Sequence, residues 1–62
     1  MKTWECTLSN PTADGLAAAR KVVALRGATI DLVDGAYVLS APSDLALLCA
    51  VQVGHVTRAA PK

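Results

Sequence analysis

The hydrophobic pattern is clearest on either side of the pair Asp34-Gly35, where two runs of β-favouring residues meet. A two-residue Asp-Gly connection predicts a β-hairpin with a type I′ turn, because Asp tolerates and Gly freely adopts the positive φ that both positions require. So short a loop also fixes the register of the two strands. The predicted cross-strand pairs are Val33 with Ala36, Leu32 with Tyr37, and Ile30 with Leu39.

This register gives the hairpin two different faces. The larger apolar side chains share the face that is predicted to lie on the core: Ile30, Leu32, Tyr37 and Leu39. The opposite face is mixed in character: Thr29, Asp31, Val33, Ala36, Val38 and Ser40. We therefore expect a sheet with one buried side and one open side.

The chain before the hairpin reads as a strand followed by a helix. Residues 2–9 alternate, with Trp4, Cys6 and Leu8 on one side, which predicts a half-buried strand. Residues 15–26 are predicted to form the first helix, which Gly27 ends in a left-handed conformation. Thr12 and Asp14 are the alternative caps of this helix. Its predicted apolar stripe is Leu16, Ala19, Val22, Val23 and Leu25.

The second predicted helix, residues 44–52, is apolar on almost every side. Such a helix is normally buried all round, whereas one sheet can cover only one side of it. The predicted sheet-facing set is Leu45, Leu48 and either Cys49 or Val51. Leu47 should then point away from the sheet and be available to a partner.

A short last strand is predicted over residues 55–59, followed by a frayed tail over residues 60–62. Right-handed crossovers in both strand-helix-strand halves place the two helices on one face of an antiparallel sheet. The sequence therefore predicts one small α+β domain, residues 1–62, with the ferredoxin-like split βαβ order β-α-β-β-α-β. The open face would also carry Thr3, Glu5, Thr7 and Thr57.

A chain of 62 residues buries only about 60% of its unfolded surface, so we expect an additional source of stability. Cys6 and Cys49 could form at most one disulfide, and Met1 to Glu5 lead straight into a strand pattern without a targeting segment. We expect reduced thiols and a cytoplasmic location. No metal or other cofactor is expected, since the one His and the separated cysteines give no closely spaced ligand pair. Association with a partner is the remaining source.

The formal net charge of +1 gives no electric field that would attract a polyanion. The two aromatic residues, Trp4 and Tyr37, are predicted on the core face and so cannot stack on bases. The longest apolar run, residues 45–53, is too short to cross a bilayer. Neither a nucleic acid nor a membrane is therefore expected as a partner.

Few residues offer catalytic chemistry. His55 titrates near neutrality unaided, but no nucleophile and orienting group can be placed beside it from the sequence. Glu5 and Asp31 both point to the open face, and on neighbouring strands they could act as an acid–base pair. The simpler interpretation is a solvated sheet face, because no groove is evident. We expect no enzymatic activity.

The segment from Asp14-Gly15-Leu16 to Arg26-Gly27-Ala28-Thr29-Ile30 resembles the first helix and second strand of ACT-type amino-acid-sensing domains. Asp14-Gly15 stands where those domains have Pro-Gly. The resemblance implies a ferredoxin-like, non-catalytic domain that binds a small ligand near this loop, often at a dimer interface. A helix N-terminus also suits an anion. The ligand-loop candidates are Asn10, Asp14 and Gly15.

The favoured hypothesis is a non-enzymatic protein-binding module, such as an adaptor, a regulator or an inhibitor that acts by surface occlusion. Uncovered apolar surface on a small chain usually marks an interface, and we expect a homodimer among the complexes formed. The interface candidates are Leu47, Val51, Val33, Ala36, Val38, Glu5 and Asp31. The alternative hypothesis is a small-ligand-sensing regulatory domain that uses the loop from Asn10 to Gly15.

Overall fold

The computed structural model describes the whole chain, Met1–Lys62. Its elements are β1 (Lys2–Leu8), α1 (Ala13–Ala24), β2 (Thr29–Val33), β3 (Ala36–Ala41), α2 (Leu45–Gln52) and β4 (Val56–Pro61). The strands form one antiparallel sheet in the order β2-β3-β1-β4. This confirms the predicted α+β fold of the ferredoxin-like split βαβ type.

The hairpin of β2 and β3 has the predicted register in all of its predicted pairs. Asp34 and Gly35 have φ values of 50° and 80°, so both central residues lie in the left-handed region that a type I′ turn needs. The turn chemistry of two residues therefore sets the alignment of both strands.

The predicted core face of the hairpin is buried only in part. Ile30 and Leu39 are enclosed, as expected. Leu32, in contrast, is 55% exposed, and Tyr37 opposite it is half-buried. This pair lies close to the turn, so the core closes over the middle of the hairpin and leaves its turn end at the margin.

The core lies between the sheet and the helices, and small residues make up much of it. Its larger members are Trp4, Leu8, Val23, Ile30, Leu39 and Val56. Its smaller members are Cys6, Ala19, Ala28, Ala41, Ala46 and Ala50. Because alanine ends in a methyl group, both helices can approach the sheet closely, but little bulky apolar volume is enclosed.

Helix α1 begins at Ala13, two residues before the predicted start, because Thr12 is its N-cap. The Thr12 Oγ1 accepts a hydrogen bond from the backbone N–H of Gly15 at 3.1 Å. Of the two alternative caps, the structure selects Thr12.

Helix α1 ends at Ala24, and Gly27 follows with a φ of 71°, as predicted for it. The placement of Leu25 on the buried stripe is wrong, since this residue is the C-cap and is 85% exposed. At about 100° per residue, Leu25 points roughly 200° away from the buried Val23 and therefore faces solvent.

Helix α2 is rotated differently from the prediction. Ala46 and Ala50, one turn apart, are 1% and 0% exposed, and Leu47 is half-buried against the core. The predicted sheet-facing residues Leu45 and Leu48 are instead 59% and 58% exposed. The prediction was wrong because a helix with apolar residues on every side has no single apolar stripe from which its rotation could be read.

Strand β4 extends further than predicted, because Ala60 and Pro61 pair with β1 and are not a frayed tail. The backbone N–H of Lys62 also donates to the Thr3 carbonyl at 3.1 Å. A bulge shifts the register of β4 against β1, so that Arg58 rather than Thr57 lies opposite Thr7 on the open face.

Replacing Gly35 by Val should lower the free energy of unfolding by about 1–2 kcal/mol, because a β-branched residue resists the left-handed conformation. A Cβ at this position would contact nothing within 4 Å, so backbone strain is the only cost. Asp34→Asn is the matched control and should leave stability unchanged, since Asn tolerates positive φ equally well. Urea midpoints give the comparison, and equal midpoints for wild type and Gly35→Val would contradict the type I′ turn.

Candidate functional site

Three exposed apolar side chains line the side of α2 that points away from the sheet. Leu45, Leu48 and Val51 are 59%, 58% and 46% exposed, and we refer to them as the α2 outer face. At about 100° per residue, Leu48 points almost opposite to Ala46 and Ala50, the pair that is buried in the core. The α2 outer face is thus the solvent-facing side of a helix whose buried side is made of alanine.

No charged residue interrupts the α2 outer face, because α2 contains none. Its one polar side chain is the exposed Gln52, and Val53 at the C-cap adds a further apolar group that is 58% exposed. Spaced three residues apart, Leu45, Leu48 and Val51 form a stripe about 9 Å long. Single exposed leucines are ordinary, whereas contiguous exposed apolar surface on a small chain is the feature from which an interface can be proposed.

The open face of the sheet has a different composition. One row across β2, β3 and β1 consists of Asp31, Val38 and Glu5, and the row below it consists of Thr29, Ser40 and Thr3. Val38 and Ala36 are half-buried, and Val33 is 45% exposed. Threonines and charged residues surround these apolar groups, so this face retains more water than the α2 outer face.

Glu5 and Asp31 do not lie on neighbouring strands, which corrects the prediction. Strand β3 runs between them, with Val38 opposite both residues. Two strand spacings separate the carboxylates by roughly 10 Å. Asp31 is instead paired with Arg20 at 3.1 Å. The two carboxylates therefore cannot form a direct acid–base pair.

Both edges of the sheet are obstructed. At β2, the Arg20 Nε donates to the carbonyl of Ile30 at 2.9 Å and so occupies an outward-facing backbone group. At β4, the backbone N–H of Lys62 points toward β1. Because the backbone groups of successive strand residues point to opposite sides, the backbone nitrogen of Pro61 points outward, away from β1. Proline has no donor there, and its ring blocks an added strand. Association by extension of the sheet is therefore disfavoured.

The candidate ligand loop packs on itself. The carbonyl of Asn10 lies against the Cα of Gly15, so that a Cβ at Gly15 would overlap it. Thr12 Oγ1 donates to the Asn10 side chain and accepts from Gly15, which occupies one of the exposed donors of the helix. Asp14 is exposed in the first turn and places a negative charge where an anion would bind.

His55 lies half-buried after α2, and the structure brings Ser9 next to its backbone, a contact that no pattern in the sequence indicated. The Ser9 Oγ donates to the carbonyl of Gly54 at 2.5 Å. A hydroxyl whose proton is directed to a backbone carbonyl is not activated by an imidazole. Ser9 is best understood as joining the end of β1 to the turn before β4.

Cys6 and Cys49 are both free thiols. Cys6 lies in the core, and burial raises the pKa of its thiol, an effect that a hydrogen bond with the Leu39 backbone partly offsets. Cys49 is half-buried on α2. A buried thiol with a raised pKa is a poor nucleophile, because the reactive thiolate is disfavoured.

The remaining concave regions are shallow and open to solvent. One of them lies on the open sheet face between Glu5, Thr7 and Arg58. No three His, Cys, Asp or Glu side chains come together in an arrangement that could hold a metal ion. Neither helix has the length and hydrophobicity needed to cross a membrane.

Comparison of the chain with models of known protein families, with curated protein sequences and with solved structures finds no match. The properties of the surface are therefore the basis on which a function can be proposed.

The two thiols should differ in reactivity. Native protein treated with iodoacetamide should be alkylated first at Cys49, while Cys6 should react only after denaturation. Mass spectrometry of the alkylated peptides gives the order of reaction, and equal rates at both sites would contradict the buried position of Cys6.

The stability of the fold should also depend on pH through Cys6. Because the folded-state pKa of Cys6 is raised, the stability linked to its protonated form is present at neutral pH and is lost as the pH rises above about 8.5 toward the folded-state value.

Proposed function

We propose that this chain is a small non-enzymatic protein-binding module that docks through the α2 outer face. The observation that carries the proposal is the exposure of Leu45, Leu48 and Val51 on a helix without charge. A module of this kind acts as an adaptor, a regulator or an inhibitor by covering a surface of its partner.

The energetics support docking at this surface. Burying a leucine or valine that would otherwise be exposed contributes about 1.5–3 kcal/mol. A core in a chain of this size supplies only about 3–5 kcal/mol by itself. Leu45, Leu48 and Val51 are 46–59% exposed, so covering two of them would add about half of the full burial value for each, roughly 1.5–3 kcal/mol together. This is a substantial fraction of the stability of the isolated chain.

The composition of the other surfaces favours the same choice. The open sheet face is more polar, and Arg20 and Pro61 obstruct the sheet edges. The candidate catalytic groups lie on separate elements, with Asp31 committed to an ion pair. The ligand-sensing hypothesis stays a prediction. The contacts of the Asn10 to Gly15 loop are made within the loop itself, so they give no support for a bound molecule there.

Leu48→Glu should weaken capture of a protein partner at least about tenfold, because it replaces the central side chain of the α2 outer face with a charge. The chain is immobilised and exposed to an extract of the cells from which it comes, and captured proteins are quantified by mass spectrometry. Each protein lost with the variant is then purified and titrated against the wild type by calorimetry. Leu25→Glu is the matched control, since Leu25 is 85% exposed but lies outside α2.

Two results separate the possibilities. A partner bound by the wild type and by Leu25→Glu, but not by Leu48→Glu, would support docking at the α2 outer face. An identical set of proteins bound by all three would overturn it. Leu47→Glu should lower the free energy of unfolding of the chain, because Leu47 packs against the core and Leu48 does not.

A further inference from the structure

We infer that the α2 outer face binds a second copy of this chain, with the two α2 helices antiparallel across a twofold axis that passes beside Leu48. This inference rests on the proposed function and specifies the partner. It can fail while docking of a different protein at the same face remains correct.

The stripe of apolar residues on α2 is nearly symmetric about its middle residue. Leu45 precedes Leu48 by three residues and Val51 follows it by three, so the α2 outer face is almost the same read in either direction. A twofold contact requires a patch that complements itself. With the axis beside Leu48, this side chain meets its own copy, and each Leu45 meets the Val51 of the other chain.

The charges around α2 also favour this pairing. With no charged residue in α2, the two α2 helices can approach each other without repulsion between side chains. Asp44 at its N-terminal end is neutralised by Lys2 at 3.1 Å. An antiparallel pair also sets the positive end of each helix dipole beside the negative end of the other, whereas a parallel pair would align like ends. These terms favour the antiparallel arrangement.

The small size of the chain limits the area of any interface. The whole molecule exposes 3897 Å², so the roughly 800 Å² per partner of a standard interface corresponds to about a fifth of its surface. Most of the helical layer must therefore take part. A twofold axis perpendicular to α2 leaves α1 facing its own copy, and α1 presents the small, exposed Ala17 and Ala24 beside Lys21. Small side chains allow the two layers to come close, with the Lys21 stem lying along them.

The apolar part of this contact is confined to the three side chains of the α2 outer face. We therefore expect a weak dimer with a dissociation constant of about 1–100 µM. Sedimentation of the wild type should then shift from monomer to dimer with increasing concentration, and Leu48→Glu should stay monomeric throughout.

Disulfide trapping tests the geometry directly. In a Cys49→Ser background, which removes the half-buried thiol, each residue of the α2 outer face is replaced by cysteine in turn. Residues on the axis can bridge to their own copies. A residue three positions from the axis, such as Leu45, lies about 9 Å along the helices from the same residue of the other chain, which is too far for a disulfide.

Leu48→Cys should therefore form covalent dimers on mild oxidation several-fold faster than Leu25→Cys, the exposed control outside the interface. Leu45→Cys and Val51→Cys should cross-link slowly alone and rapidly when the two variants are mixed. Rapid self-cross-linking of Leu45→Cys and of Val51→Cys, without cross-linking of their mixture, would show a parallel pair and overturn the proposed geometry.

A wild type that stays monomeric up to about 100 µM would overturn the second copy as the partner. If a purified protein still bound in a manner that Leu48→Glu abolished, the proposed function would stand and this inference alone would fail. If neither self-association nor Leu48-dependent binding occurred, both would be wrong.

Discussion

The burial of Ala46 and Ala50, the two residues through which α2 enters the core, is the constraint on which the rest of the surface depends. Two methyl groups one turn apart let the helix lie close over the core, and a bulkier residue at either place would lift it. With these two positions fixed against the sheet, the 100° step of the helix decides where every other side chain of α2 points. Leu45, Leu48 and Val51 are then turned to solvent, although each is as hydrophobic as a core residue.

The same close packing limits the stability of the isolated chain. Half of the core residues are alanine or cysteine, so each of these positions encloses little apolar volume. The larger apolar side chains of the α2 outer face lie outside the core. The chain therefore leaves hydrophobic surface exposed to solvent. A partner that bound this surface in the folded state would raise the free energy of unfolding by mass action.

The obstructed edges and the open faces together define how the chain can associate. The Arg20 side chain crosses from α1 to the edge of β2 and binds both the Ile30 carbonyl and Asp31. Pro61 presents no donor at the edge of β4. Such devices disfavour the joining of sheets edge to edge. Of the two faces, the helical one is uncharged along α2, whereas the open sheet face carries Glu5, Asp31 and Arg58.

Local rules in the sequence determined the elements, their order along the chain and the turn. The type I′ turn followed from Asp34 and Gly35 because Asp tolerates and Gly readily adopts a positive φ wherever they occur. The strand register then followed from the turn. The rotation of α2 and the separation of Glu5 from Asp31 were decided by the tertiary structure alone. A helix that is apolar on all sides has no preferred buried face until a sheet selects one by shape, and here the sheet selected the alanines. Likewise, alternation tells which side of a strand a carboxylate occupies, but only the order of strands in the sheet, with β3 between β1 and β2, decides which carboxylates can meet.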